Sequence, residues 1–363
     1  MAGDDMTASS SSRFSGLLPR SALLVGTLIV LVLGAEILVR IAWPRPLPPH
    51  EFLRSFVLRD MYVPDEKAGY RPTPNFKGRI ERLGYVTEFS TNSLGMRAPE
   101  VGPKSGPRIL VFGDSFTWGW GVNQGDEWVS VLDRELGDAV EALNCGVNGY
   151  GTEGELRFLE SIGQPLAPDL VLVGFFTNDY TDNLISAPSM YTIRNGYLFD
   201  QFSHDYYRDN VLARESHLYR LFGDAWENVR VKYLGGVPNA HPARRFTEGD
   251  FERGRDLSEM HLLTMRDRAR AMNAAFGVVW VPADTYALSQ APSEGTRLRA
   301  DLQSRIAAAG IPSIDLLPII RGEANVSDLY LPNDGHFSTR GNAIAGRAIA
   351  KWVLDLGLIE PAE

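Results

Sequence analysis

Cysteine is almost absent from this chain: Cys145 is the single one in 363 residues. One thiol can close no intramolecular disulfide and cannot build a cysteine-rich zinc site. Histidine is scarce as well, with six in all, and none of them falls into HExxH or a comparable ligand spacing. No metal or other cofactor is called for. Excess positive charge is also missing, the formal net charge being -9. A nucleic-acid backbone needs a cationic face, so nucleic acid is not an expected partner. No internal repeat is visible. What remains is 44% hydrophobic and 22% charged, the balance of a folded enzyme rather than a disordered chain. The length allows one large domain or two small ones.

Charge is locally absent from Ser21 to Val39, where only Glu36 interrupts an apolar run. As a helix this run is roughly 28 Å long, close to the ~30 Å hydrocarbon core of a bilayer. Arg40 and Trp43 sit where interfacial anchors belong. A cleaved signal peptide is the alternative. Because no clear A-x-A site follows, an uncleaved transmembrane anchor over 21–43 is expected, after a polar, disordered cytoplasmic tail over 1–20. Topology is contested. Arg13 and Arg20 precede the span, whereas Arg40, Arg45, Arg54 and Arg59 follow it, which on a positive-inside count places the domain in the cytoplasm. Long domains, however, translocate largely regardless of charge.

Residues 44–106 open on Pro-Arg-Pro-Leu-Pro-Pro, a stiff spacer, and continue as short strands and turns. From 107 the pattern becomes strand and helix in alternation. Strands are expected at 108–112, 140–144, 169–174, 275–281 and 311–317, and helices at 126–136, 153–161, 296–309 and from Ser338 or Thr339 to about Leu356. The continuous apolar character of these strands is that of a parallel sheet covered on both faces. The expected fold is therefore α/β, a doubly wound parallel sheet in a flavodoxin-like three-layer sandwich over 107–357. An aromatic and charged insertion over about 180–260 breaks the alternation.

Parallel α/β sheets carry their sites just beyond the carboxyl ends of the strands. Three motifs lie there: Gly113-Asp114-Ser115-Phe116-Thr117-Trp118-Gly119, Asn144-Cys145-Gly146-Val147-Asn148-Gly149-Tyr150-Gly151-Thr152, and Phe176-Thr177-Asn178-Asp179. A fourth, Leu331-Pro332-Asn333-Asp334-Gly335-His336-Phe337-Ser338, precedes the last helix. A serine hydroxyl needs a base to become a nucleophile, and a histidine titrating near neutrality can be that base. The alternatives are that Ser115 is a helix N-cap and His336 a surface histidine. A classical α/β-hydrolase would need G-x-S-x-G, but Thr117 holds the fifth position. The glycines of 146–151 have the wrong spacing for a dinucleotide loop.

In order, strand context and spacing, the four motifs resemble the conserved blocks of the SGNH (GDSL-like) hydrolase family over roughly 107–355. Asn92 to Arg97 followed by Arg108 to Gly119 is similar to a bacterial subgroup with one N-terminal membrane segment. The resemblance implies a serine esterase with Ser115 as nucleophile and His336 as base. It also implies an oxyanion hole made by the backbone N–H groups of Ser115 and Gly149 and the side chain of Asn178. The usual family spacing is Asp-x-x-His, which here falls on Asn333. Asp334 fits the Asp-x-His variant of alginate O-acetyltransferase-like members, and a backbone carbonyl holding the imidazole in a dyad is the further alternative. Phe176 stands where the family's third block usually has glycine, which narrows the pocket. Trp118, Trp120 and Tyr150 are candidate contacts for a sugar ring, or core. Cys145 is expected to be a buried small hydrophobe.

The implied activity is removal of O-acyl groups from a glycan or related envelope substrate, with the domain outside the membrane. Acyl transfer to a polysaccharide uses the same acyl-enzyme and stays open, as does a non-catalytic, membrane-tethered glycan-binding module. The sequence is silent on oligomeric state.

Overall fold

The computed structural model describes residues 17–44, 58–82, 85–184, 191–194, 196–200, 210–233, 246–289, 291, 293–332 and 334–359. Residues 1–16, most of the proline-rich spacer, Asn333 and much of 185–245 lie outside the described residues. Helix α1 (Leu17–Ala42) begins inside the stretch expected as a tail. It contains a segment, Ala22–Ala42, long and apolar enough to cross a membrane.

Five strands form the central sheet: β5 (Arg108–Gly113), β6 (Glu141–Asn144), β7 (Leu170–Phe175), β10 (Ala275–Trp280) and β11 (Ser313–Asp315). Their order is β11-β10-β7-β5-β6 and every neighbouring pair is parallel. All six residues of β5 and of β7 are buried, and their side chains alternate between two cores. Leu110, Phe112, Val171, Val173 and Phe175 feed one face; Ile109, Val111, Leu170 and Leu172 feed the other. Each such side chain contributes about 1.5–3 kcal/mol of burial free energy. The first face is covered by α4 (Thr152–Leu166), α8 (Glu248–Ala271) and α10 (Glu294–Ala308). The second is covered by α3 (Trp128–Leu136) and α12 (Thr339–Asp355). Here α12 lies so close to α3 that a Cβ on Gly346 would sit 2.5 Å from the Val131 Cβ. The expected three-layer sandwich is therefore present. The last expected strand is shorter than 311–317, because Asp315 caps helix α11 (Leu316–Arg321) through the Leu317 N–H.

Three antiparallel hairpins surround this core. Hairpin β1 (Tyr62–Asp65) with β2 (Gly69–Pro72) and hairpin β3 (Lys77–Arg82) with β4 (Tyr85–Ser90) precede the sheet. A third, β8 (Tyr191–Arg194) with β9 (Tyr197–Asp200), follows β7. Two short helices complete the strand ends, α2 (Ser115–Trp118) and α5 (Asp179–Asp182). The segment after β9 folds into α6 (Val211–Glu215) and α7 (His217–Tyr233), and α7 packs against α1. The region expected as an insertion over 180–260 thus includes part of α8, which belongs to the core layer. Helix α9 (Asp284–Leu288) follows β10.

Candidate active site

Because β6 lies on one side of β5 and β7 on the other, the strand order reverses between β5 and β7. In open α/β sheets the crevice that carries the site lies there, at the carboxyl ends. Ser115 follows directly on β5 at that end. The chain leaves β5 through Gly113, whose φ of +153° and missing Cβ are both needed, since a Cβ would fall 2.0 Å from the Thr117 Oγ1. Asp114 then caps α2, its Oδ1 accepting from the Phe116 N–H at 2.9 Å. Ser115 is left half-buried at the first helical position.

His336 reaches the same point from the turn before α12. That turn is pinned by Leu331 N–H donating to the His336 carbonyl at 2.7 Å and by Ser338 capping α12. Gly335, at φ +85°, lets the chain double back, so that Asp334 and His336 meet on one side. The Ser115 Oγ lies 2.7 Å from His336 Nε2, and His336 Nδ1 lies 2.5 Å from Asp334 Oδ1. An imidazole that donates its Nδ1–H to a carboxylate keeps Nε2 as an acceptor for the serine proton.

Sequence reading missed the other side of Asp334. Its Oδ2 accepts from the Tyr85 hydroxyl at 2.7 Å and from Trp120 Nε1–H at 3.3 Å, and the indole also donates to the Tyr85 oxygen at 2.9 Å. Burial alone would raise the Asp334 pKa. The hydrogen bond and charge of His336, with Tyr85 and Trp120, overcome burial and hold it at about 2. Tyr85 sits on a hairpin 249 positions away from Asp334, and no local motif marks it. Tyr85→Phe should lower kcat/KM about tenfold, the worth of a hydrogen bond to a charged group, and should move the acid limb of the pH–rate profile upward. Wild-type rates and an unmoved limb would show that the Tyr85 donor is dispensable.

Arg97 secures the turn beyond the nucleophile. Fully buried, it donates to the carbonyls of Trp118, Gly119 and Val122 at 3.2, 2.8 and 2.7 Å and pairs with the equally buried Glu127 at 3.7 Å. Removing one partner of such a pair costs about 3–5 kcal/mol.

The second motif is laid along the first. Cys145 N–H donates to Val111 O and Val147 N–H to Gly113 O, at 2.8 and 2.9 Å. Gly149, at φ +81°, ends this run. Among the described residues neither the Ser115 N–H nor the Gly149 N–H has an acceptor. Asn178 follows β7; burial raises the Asp114 pKa, and the Asn178 side chain is among the groups that offset part of that rise. Trp118 and Tyr150, read as sugar contacts or core, are core. Each is 1% exposed; Trp118 packs edge-on against Phe89 and Tyr150 bonds the Tyr70 carbonyl. Their rings are core because the lead-in hairpins cover them. Cys145 is buried, and burial pushes its thiol pKa up. Asn333 lies outside the described residues.

Three carboxyls are buried behind the crevice: Asp114, Glu155 on α4 and Asp179. Burial, reinforced by their mutual repulsion, raises Glu155 and Asp179 well above the ordinary carboxylate range. An acid raised on folding keeps its proton in the native state while the unfolded chain releases it above about pH 4.3. The native state then binds more protons, so stability falls as pH rises from there toward the folded pKa. The thermal midpoint should therefore decline as pH rises above about 4.3, where the unfolded carboxyl releases its proton, and Glu155→Gln should flatten that decline. Parallel slopes in melting experiments would mean that Glu155 does not carry the proton.

The family model of the GDSL-like lipase/acylhydrolases matches residues 111–344, about two thirds of the chain. The chain belongs to that family. It is a serine ester hydrolase. Similar solved structures include the lipase/acylhydrolase from Enterococcus faecalis, 18% identical, covering 71% of this chain and 99% of that one at a TM-score of 0.43. TesA is 14% identical, covering 69% of this chain and 99% of that one at 0.42. The aryl esterase of M. smegmatis in its inhibitor-bound form is 19% identical, covering 69% and 99% at 0.38. No curated protein matches the chain. The matched stretch contains the Gly113-Asp114-Ser115 turn and runs through His336 into α12.

Proposed function

We propose that this GDSL-family hydrolase is a single-pass, membrane-anchored esterase that removes short O-acyl groups from a glycan or related envelope substrate outside the cytoplasmic membrane. The observation that carries the chemistry is the continuous contact from Ser115 through His336 to Asp334. In this reading the Ser115 Oγ attacks the ester carbonyl as His336 Nε2 takes its proton, and Asp334 orients and stabilises the imidazolium. The oxyanion is met by the N–H groups of Ser115 and Gly149 and by Asn178. His336 returns the proton to the leaving alcohol, and water repeats the sequence on the acyl-enzyme. Phe176 supports a short acyl group: its ring lies 4.4 Å from that of Phe116, itself 4.7 Å from the His336 ring, filling space a glycine would leave open.

Retention of α1 is supported by its tie to the domain. Glu36 accepts from Ser216 Oγ and from the His217 and Leu218 N–H groups at 2.7, 2.8 and 2.9 Å, capping α7. Cleavage would uncap that helix, which favours an uncleaved anchor over a leader.

The test is incubation of the full chain with an activated acetyl ester, with and without a glycan acceptor, followed by mass spectrometry. Free acetate in both cases supports the esterase. Acetylated glycan would make it a transferase. Neither product, with no labelling by a covalent serine probe, would leave a binding module. Protease added to intact spheroplasts checks the outward topology, which survival of the domain until lysis would overturn.

A further inference from the structure

We infer that α7 is a second membrane contact, an amphipathic helix lying in the bilayer surface beside the anchor. The inference rests on the membrane-spanning reading of α1. Among the described residues of α7, five large apolar side chains are exposed: Tyr219, Phe222, Trp226, Val229 and Tyr233. At 100° per residue they fall within an arc of about 80°. They are large and well presented, Phe222 being 67%, Trp226 60% and Tyr233 78% exposed. An exposed aromatic stripe of this kind marks an interaction surface rather than ordinary surface scatter. The rest of the helix carries Arg220, Asp224, Glu227, Arg230 and Lys232 in sequence, too much charge for a span. At the same pitch Arg220, Asp224, Glu227 and Lys232 lie about 100° or more from the centre of the stripe and Arg230 borders it; charge away from a Trp, Tyr and Phe arc, with a basic residue at its edge, is the composition of an interfacial helix. Val211 and Leu212 of α6, just before it, are exposed as well.

Its attachment selects the occupant. The α7 N-terminus is held by the Glu36 carboxylate, and Arg40 of α1 donates to the Glu215 carbonyl at 2.5 Å and to Glu36 at 2.7 Å. Glu36 lies six residues before Ala42, where the apolar segment ends, about 9 Å along a helix. Interfacial helices bury their apolar face about 5–10 Å into the boundary of headgroups and acyl chains. The stripe therefore starts at the depth where lipid, not water or a soluble protein, adjoins α1. A carboxylate at that depth needs partners, and the α7 N-terminus supplies them. The bilayer is thus continuous from the exposed side chains of α1 to those of α7.

Site-directed spin labelling tests this with the full chain in phosphatidylcholine–phosphatidylglycerol vesicles. Labels are placed by Phe222→Cys, Trp226→Cys and Val229→Cys, with Asp224→Cys and Asn228→Cys as sequence positions on the opposite arc. Ester hydrolysis serves as the check that each variant is folded. Labels on the stripe should be open to oxygen and closed to a nickel chelate, and those opposite should show the reverse. Equal nickel access at both sets would overturn the proposal. So would stripe labels closed to both reagents, with spin–spin broadening that vanishes on dilution by unlabelled protein; the stripe would then meet a second copy. A Leu31→Cys label reports on α1 separately. Nickel access there would remove the anchor itself, whereas lipid at Leu31 with water at Phe222 would remove only the second contact.

Discussion

The Ser115→Ala protein should fold like the wild type and hydrolyse an acyl ester on the order of 10⁴–10⁶-fold more slowly. The two halves of this expectation have separate causes. The Ser115 hydroxyl touches His336 Nε2 and, at 3.4 Å, the Asp114 carboxylate, but it caps nothing. The cap of α2 comes from Asp114 and the turn from Gly113, so the backbone does not depend on the hydroxyl. Without the oxygen no acyl-enzyme forms, and what is left is binding and oxyanion stabilisation. His336→Ala should cost a similar factor, and the double variant little more than either single one, because nucleophile and base act as one unit. Circular dichroism with single-turnover kinetics reads both halves. A folded Ser115→Ala protein with near-wild-type turnover would remove Ser115 from the mechanism.

Asp334→Asn is expected to be nearly as severe, on the order of 10³–10⁴-fold in kcat. The amide is almost the same size, and Tyr85 and Trp120 still have an oxygen to donate to, so the side chain has reason to stay in place. What is lost is the charge facing an imidazolium and the acceptor that fixes its tautomer. Asn333→Ala, by contrast, should change little. The adjacent pair makes a controlled comparison measured in one assay. Small and equal effects would mean a dyad with the imidazole held by a carbonyl, and a large effect from Asn333 alone would reverse the assignment.

Much of the sheet was legible because its strands are apolar runs with sharp ends. Arg108–Gly113 and Leu170–Phe175 fall within a residue of the expected limits. The motifs at their ends were legible for the same reason: they sit where strand stops and helix starts. Helix α8 was not seen. Its buried stripe includes Gly254, Arg255, Ser258 and His261 beside Phe251, Leu262 and Met265, so polar residues dilute the apolar periodicity. The capping box of Thr247 and Asp250 was the available signal. Trp118 and Tyr150 stood between a sugar contact and the core, and burial places both in the core. Proximity to the motifs could not decide it, because the lead-in hairpins, distant in sequence, determine which aromatic rings are covered. Tyr85 is the same lesson at a single side chain.

Those hairpins bear on where the enzyme begins. The stretch that carries the family signature starts at residue 111, and a shortened chain drawn to that boundary would keep Ser115, Asp334 and His336. It would also strip away Tyr85, one of the two donors on the far oxygen of Asp334, and Arg97, which ties down three carbonyls behind the nucleophile. Trp118, Tyr150 and their neighbours would be unroofed to water. The working unit of this hydrolase is therefore longer than its signature: the sheet and its loops hold Ser115, Asp334 and His336, and the lead-in from Leu58 onward packs behind them and supplies Tyr85 and Arg97.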